Sequence, residues 1–336
     1  MKAFVSLPRG AVFDTFFTDE NVALAESLGE IVWNETGHRL SADELAAAIG
    51  DCDVYISGWG SPALTPDVLA AAPRLRLLTH LCGTVVPFVT PEMWEKGIRV
   101  ISGNRYFADS VAEGAVAYIL AALRDIPGYS RNLKENGQWK TAATFHNRGL
   151  RDRTVGVVSY GTIARRLVSL LHPFGVKLKV YDIVPVPEED LRKYDMEQVS
   201  LEEIFSDCDI ITLHTAGMPE TRHMIDGRLL SLIKEGALFV NTARGMLVDE
   251  AALCRELATG RFSAVLDVFE KEPPAPDSPL FSLPNVLMMP HMAGPTVDRR
   301  QVITRDLVRE SAAFIDSGAP LEHEVTRAVA ERMSAR

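Results

Sequence analysis

Short apolar runs alternate along this chain with longer stretches in which apolar residues recur every three or four positions. That pattern predicts strands joined by crossing helices, the α/β architecture of parallel sheets. In the first hundred residues the predicted strands are Ala3–Leu7, Glu30–Asn34, Val54–Ser57, Leu75–His80 and Arg99–Ser102. Helices are predicted over Asn21–Leu28, Ala42–Ile49, Thr65–Ala71 and Pro91–Lys96. Ser41 with Glu44 reads as a capping box, and Thr90-Pro91 supplies an N-cap and a first-turn proline. A long helical pattern follows, from about Asp109 to Arg124, ending before Pro127-Gly128. It runs into a polar stretch, Ser130–Asn147, without a strand pattern. A second series then predicts strands at Thr154–Val158, Lys177–Tyr181, Asp209–His214, Ala237–Asn241, Ser263–Asp267 and Val286–Met289. Asp298–Ser317 reads as helix, and the charged tail beyond it as a frayed end. The expectation is an α/β protein with two doubly wound parallel sheets that share an architecture and no repeat.

Composition narrows the class. A length of 336 residues fits two domains. With 47% hydrophobic and 24% charged residues, the chain can bury a core, which excludes disordered and collagen-like readings. The net charge of −10 and the lack of a Lys/Arg run argue against a nucleic-acid partner. Cys52, Cys82, Cys208 and Cys254 lie far apart, with no C-x-x-C pair and no zinc spacing. They read as reduced thiols, with no metal expected. Ala3–Leu7 is broken by Pro8, too short for a signal peptide, and no apolar stretch of about 18 residues is expected to span a bilayer. The expected location is the cytoplasm.

Candidate chemistry starts with the second series. Val155–Val158 leads into Ser159-Tyr160-Gly161-Thr162-Ile163-Ala164, a strand, a tight turn and a helix start. Against the dinucleotide fingerprint G-x-G-x-x-G/A, Gly161 and Ala164 match and Ser159 replaces the first glycine. Gly161 stands where a side chain would block the approach of a pyrophosphate to the helix N-terminus. The next strand ends at Asp182, placed to bond the ribose hydroxyls of NAD and to repel the 2′-phosphate of NADP. Three later strands also end in chemistry. One leads into Thr242-Ala243-Arg244-Gly245, the next into Val268-Phe269-Glu270-Lys271-Glu272-Pro273, and the last into Pro290-His291-Met292-Ala293-Gly294. Arginine clamps a carboxylate, histidine moves a proton, and an acid beside that histidine favours its protonated form.

The blocks Asn241–Asp249, Leu266–Pro273 and Pro290–Gly294 resemble the D-isomer-specific 2-hydroxyacid dehydrogenases. Ser206–Asp209, Leu213-His214, Pro219–Arg222 and Ser110–Glu113 are similar to further stretches of that family, from about Arg74 to Val325. The resemblance implies a flavodoxin-like substrate domain, 1–102 plus 295–336, and a Rossmann NAD-binding domain, 103–294, inserted into it. It implies that Arg244 binds the substrate carboxylate and carbonyl, that His291 is the proton donor and acceptor, and that Glu272 rather than Glu270 pairs with His291. It implies NAD contacts from Tyr160, Gly161, Thr162, Ile163, Asp182, His214, Thr215, Ala216, Thr221, Thr242, Ala243, Arg244, Asp267, His291 and Gly294, with Asp267 near the nicotinamide. The loop Leu81-Cys82-Gly83-Thr84-Val85 falls where the family offers backbone N–H groups to the substrate. The helix near Ser110 and the segment to Trp139 correspond to a dimer-forming arm, so a homodimer is expected.

Ser159, Cys82, Thr84, Ala216 and Pro295 depart from the family pattern, but none removes a charge that the chemistry needs. The loop Ser57–Pro62 carries Trp59 and no Lys or Arg. That favours a small neutral 2-oxo acid, of the glyoxylate or hydroxypyruvate kind, over a phosphorylated one. The alternatives are a phosphoglycerate dehydrogenase-like enzyme and a non-catalytic NAD-sensing protein of the same fold. Formate dehydrogenases resemble the pattern but carry Gln where Glu272 stands.

Overall fold

The structure is a computed structural model that describes residues 1–140 and 146–334. Of the described residues, one unit comprises 1–108 and 295–334; the other comprises the described part of Asp109–Gly294. The boundary expected after Ser102 moves to Ala108 because Tyr106 and Phe107 pack on the core of the first unit.

In the first unit β1 (Lys2–Val5), β2 (Glu30–Trp33), β3 (Val54–Ser57), β4 (Leu77–His80) and β5 (Arg99–Ser102) form a parallel sheet of order β2-β1-β3-β4-β5. That is a doubly wound order whose direction reverses at β1 and β3. Phe4, Tyr55, Leu78 and Val100 face one apolar cluster, while Val5, Ile56, Leu77 and Ile101 face another. Burial on both faces is why these strands read as continuous apolar runs. The helices α1 (Ala11–Phe16), α2 (Asp19–Leu28), α3 (Ala42–Ile49), α4 (Pro66–Ala71) and α5 (Pro91–Glu95) connect them. The Ser41–Glu44 capping box closes at both bonds, 3.2 Å and 2.7 Å. α1 was not expected: it is six residues long and its Gly10 N-cap offers no side chain.

The second unit is entered along α6 (Asn104–Leu123), followed by α7 (Ile126–Asn136). α7 lies where only a polar stretch was expected. Pro127 reads as a breaker, yet it sits in the first turn, where its missing N–H costs nothing, and Asp125 caps Gly128 N–H at 3.2 Å. Residues 141–145 of that stretch lie outside the described residues. Among the described residues α6 alone is long and apolar enough to cross a membrane, against the expectation of no such segment. Its apolarity has a local cause, because Ala112, Ala115, Ile119 and Leu123 pack into the sheet core.

The strands β6 (Thr154–Val158), β7 (Lys177–Tyr181), β8 (Met196–Gln198), β9 (Ile210–Leu213), β10 (Leu238–Asn241), β11 (Ser263–Leu266) and β12 (Val286–Met288) are all parallel, in the order β12-β11-β10-β9-β6-β7-β8. Chain direction across the sheet reverses between β6 and β9. β8, three residues long, was too short to show a pattern. Around this sheet run α8 (Thr162–Leu171), α9 (Glu188–Tyr194), α10 (Leu201–Asp207), α11 (Gly227–Leu232) and α12 (Glu250–Ala258). Gly156 lets α10 lie against β6, since a Cβ there would come within 2.7 Å of both Ile204 and Cys208 side chains.

The chain then returns to the first unit as α13 (Val297–Ser317), with Ile303, Leu307 and Val308 in its core. The tail expected to fray instead forms α14 (Arg327–Ser334). Val325 and Ala330 anchor it in the cluster under Phe4 and Tyr55.

Candidate active site

The turn after β6 sits at the point of reversal, where an open parallel sheet leaves a crevice. Ser159 adopts φ 72°, the left-handed conformation that the fingerprint's first glycine normally supplies. Its N–H donates to Tyr181 O at 2.7 Å, and its hydroxyl lies 2.7 Å from that of Thr215 after β9. The departure therefore lies in residue identity and not in backbone shape. Asp182 accepts Tyr160 N–H at 2.7 Å and Val184 N–H at 3.1 Å, which ties the end of β7 to the turn. Gly161 N-caps α8 without a side-chain bond, leaving the amides of Thr162 and Ile163 at an uncapped helix N-terminus.

Three buried polar atoms at this end of the unit lack a hydrogen-bond partner: Tyr160 OH, His214 Nδ1 and Thr242 Oγ1. Burial pushes His214 down to about 4, so its ring is neutral, and Nε2 is bonded to Thr212 Oγ1 at 2.9 Å. An unpartnered buried polar group costs about 1–3 kcal/mol. Tyr160 OH has Asp190 and Arg165 as neighbours, so it is the orphans at His214 and Thr242, beside an uncapped helix start, that fit a polar ligand such as a dinucleotide. Thr221 closes the loop after β9, donating to Ala216 O at 2.8 Å and accepting Met218 N–H at 2.9 Å.

After β10 the chain turns tightly around Asn241, whose side chain accepts Ala243 N–H and donates to Arg244 O, both at 3.0 Å. Arg244 Nη1 donates to Ala243 O at 2.6 Å. Two glycines make room here. A Cβ on Gly217 would strike Arg244 Cγ at 2.7 Å, and one on Gly245 would lie 1.9 Å from the Phe269 carbonyl. The Arg244 side chain stays open to solvent, but neighbouring atoms crowd the guanidinium. That desolvation lowers its pKa, and the charge of Glu272 acts in the opposite direction.

Glu272 Oε2 lies 2.8 Å from His291 Nδ1, and Glu272 Oε1 accepts Phe269 N–H at 3.1 Å. That bond engages Nδ1 and not Nε2. His291 itself has φ 56°, a strained value for a residue with a Cβ. Asp267 holds that geometry: its backbone oxygen accepts His291 N–H at 2.9 Å, and its carboxylate accepts Met292 N–H at 2.7 Å and Ala293 N–H at 3.0 Å. Tyr118 OH on α6 donates to the same carboxylate at 3.4 Å. Asp267 is 1% exposed, so its carboxylate faces the His291 loop. Glu270 points elsewhere, to Arg222 and to His223 Nε2 at 2.8 Å.

Trp59, Cys82, Gly83 and Thr84 belong to the other unit, at the carboxyl ends of β3 and β4. The Cys82 thiol is buried, receives a hydrogen bond from the Trp59 backbone, and is pushed up to about 12 by desolvation. A Cβ on Gly83 would meet Phe107 at an ordinary 3.5 Å, so nothing local demands glycine there. Trp59 packs edge-on against Phe16, and the Arg300 guanidinium stacks over its ring at 4.8 Å. The Ser57–Pro62 loop has no cation of its own, but α13 brings one to it. That cation qualifies the sequence argument against phosphorylated substrates without reversing it, because Arg300 Nε already donates to Pro295 O at 2.9 Å and Nη1 to Thr15 Oγ1 at 3.3 Å.

Arg300, Asn241, Gly217, Tyr118 and the Glu270–His223 pair are the residues that sequence reading missed. Only Asn241 had a local signal, an amide at a strand end before a turn. The others act through contacts between distant segments.

The family model of the D-isomer specific 2-hydroxyacid dehydrogenase NAD binding domain matches residues 116–293. The chain is 33% identical over 309 residues to D-3-phosphoglycerate dehydrogenase of Methanocaldococcus jannaschii, covering 91% of this chain and 57% of that protein. It therefore spans little more than half the length of that relative. It is also 33% identical over 278 residues to hydroxypyruvate reductase of Thermotoga maritima, covering 82% of this chain and 89% of that one. Among solved structures, D-2-hydroxyisocaproate dehydrogenase superposes with a TM-score of 0.78 at 25% identity, covering 97% of this chain and 100% of that one.

Proposed function

Because the chain belongs to the family of D-isomer specific 2-hydroxyacid dehydrogenases, we propose that it reversibly interconverts a small D-2-hydroxy acid and its 2-oxo acid with NAD. The observation that carries this reading is the 2.8 Å bond between His291 Nδ1 and Glu272 Oε2, in the same unit as Arg244 and the turn at Gly161. Bound cofactor supplies the hydride in the reductive direction and accepts it in the oxidative one. Its holders would be the amides of Thr162 and Ile163, the orphaned groups of His214 and Thr242, and the neighbouring Tyr160, Thr215, Ala216, Thr221, Ala243 and Gly294. Asp182 would bond the ribose and disfavour a 2′-phosphate.

Arg244 would pair with the substrate carboxylate, its partial desolvation strengthening that pairing. His291, aligned by Glu272, would deliver a proton from Nε2 to the C2 oxygen on reduction and remove it on oxidation. Both cations act on charge that grows at that oxygen. Asp267 would serve this chemistry from behind, by fixing the His291 loop. The loop Cys82-Gly83-Thr84 would offer amides to the substrate, with Trp59 beside its side chain. Hydroxypyruvate and glyoxylate are the preferred substrates, and 3-phosphohydroxypyruvate belongs in any panel because Arg300 supplies a cation near Trp59.

The assembly we propose is a homodimer through α7. Ile126 and Leu133 on α7 and Trp139 just beyond its end are exposed apolar residues, an arrangement suited to a second copy. The four free cysteines accord with a reducing cytoplasm.

NADH and NADPH oxidation over a panel of 2-oxo acids tests the reading. Turnover with NADH, and a fall in kcat of about two to four orders of magnitude in His291→Ala, are expected. Tight NADH binding without turnover would instead identify a sensor.

A further inference from the structure

Two residues before Glu272, the same loop carries Glu270, the acid of a second acid–histidine pair. Glu270 Oε1 accepts from His223 Nε2 at 2.8 Å and from Arg222, and its own N–H donates to Glu250 Oε2 at 2.9 Å. These partners come from two separate segments. Arg222 and His223 follow β9, and Glu250 opens α12 beyond β10. The segment after β9 is in turn zipped to the one after β10, with His223 N–H to Met246 O and Ile225 N–H to Leu247 O, both at 2.9 Å. His223 reaches Glu270 from φ 52°, a conformation that a side-chain-bearing residue holds only when its surroundings enforce it. The ring closes through Gly245, whose Cα lies against the Phe269 carbonyl and the Glu270 amide.

The acid that faces His291 depends on this ring. The second Glu272 oxygen accepts the N–H of Phe269, the residue immediately before Glu270. The backbone aiming Glu272 is thus the backbone that Glu270 pins to two neighbouring strand ends, one of which carries Arg244.

We propose that Glu270, with His223 and Arg222, is a positioning element for the reaction: it clamps the loop after β11 so that Glu272 and Arg244 keep their places around His291. This rests on the reading of His291 and Glu272 as the acid–base pair. Glu270 touches no reacting atom; it acts through Phe269 and Glu272. A misplacement of about 1 Å at such a pair costs on the order of 100-fold in rate.

The test is Glu270→Gln, which keeps shape and removes the charge, with Arg222→Met and His223→Gln as milder versions on exposed side chains. Wild type and variants are compared for kcat and KM on hydroxypyruvate, Kd for NADH by fluorescence, Tm, and the solvent deuterium isotope effect on kcat. The expected result is a 10- to 100-fold fall in kcat per folded molecule for Glu270→Gln. NADH affinity should stay within about twofold, and the isotope effect should rise because proton transfer has become slower. Smaller changes of the same kind are expected in the other two variants. If kcat per folded molecule and the isotope effect match wild type in all three, whatever happens to Tm, the proposal is overturned and the cluster is only a brace. Should Glu270→Gln fail to fold, the two milder variants decide by the same criteria. Absence of wild-type turnover on every 2-oxo acid would sink the functional reading itself, a separate outcome.

Discussion

Gly245 and Phe269 meet backbone to backbone: a Cβ on Gly245 would stand 1.9 Å from both the carbonyl carbon and oxygen of Phe269 and 2.4 Å from Glu270 N. The turn carrying Arg244 and the loop carrying Glu272 thus touch where no side chain fits. Gly245→Ala has no flexible neighbour to displace, so one loop must move. The expected outcome is a stability loss of about 2 kcal/mol or more, with activity reduced at least 100-fold. Thermal melts and steady-state rates check it. A variant with wild-type kcat would mean that the two loops are independent.

Ser159 offers a cleaner separation of strain from hydrogen bonding. Its φ of 72° costs about 1–2 kcal/mol for a residue with a Cβ, while its hydroxyl bond to Thr215 returns about 1 kcal/mol. Ser159→Ala keeps the strain and loses the bond. Ser159→Gly loses both. Glycine should therefore be at least as stable as wild type and about 1–2 kcal/mol more stable than alanine, measured by chemical denaturation. The reverse order, alanine above glycine, would contradict a left-handed residue at this turn.

Acid should destabilise the first unit through His80. This side chain is 2% exposed, bonded through Nδ1 to Ser57 Oγ at 2.9 Å, and burial pushes its pKa from 6.5 down to about 3. The unfolded chain takes up a proton below pH 6.5 that the native protein refuses until about pH 3. Stability is complete above pH 6.5 and falls by about 1.4 kcal/mol per pH unit as pH drops through that window. His214 brings a similar term to the second unit between 6.5 and about 4. Urea melts at pH 7.5 and 5.0 should show the loss, and His80→Asn should remove about one proton's worth of the slope. An unaltered slope in that variant would show that His80 titrates normally in the native state.

How much of this was legible depends on how far apart the interacting parts lie. Strands such as Val54–Ser57 and Ile210–Leu213 announced themselves because both sheet faces are covered, which forces apolar runs. Arg244, Glu272 and His291 stood out as candidates because each lies within six residues of the end of a predicted strand. α7 was not, since Pro127 and the polar face behind it look the same in a loop as in a helix start. Ser159 showed its identity but not its φ, so a departure from the glycine pattern looked larger than the backbone makes it. Arg300 was invisible as a neighbour of Trp59, because only the return of α13 to the first unit joins them. The same holds for Glu270, read only as a weaker rival to Glu272 until the fold brought His223 and Arg222 to it.

Asp267 separates geometry from charge at the His291 loop. Its two carboxylate oxygens accept Met292 N–H and Ala293 N–H, and it is buried, so both acceptors are needed where they stand. Asp267→Asn keeps the volume but turns one acceptor into an amide donor facing a backbone donor. The native loop then has an unsatisfied N–H and a donor–donor contact, an expected loss of about 2–3 kcal/mol. The His291 loop, already held at φ 56°, should relax, and kcat should fall about 100-fold or more. Tyr118→Phe is the matched control. Its bond to the same carboxylate is 3.4 Å long, near the limit for any hydrogen bond, so its removal should cost less than about 0.5 kcal/mol and leave the loop in place. Melting curves and kcat for the two variants decide the matter. If Tyr118→Phe proved the more damaging, the backbone contacts of Asp267 would not be what holds His291.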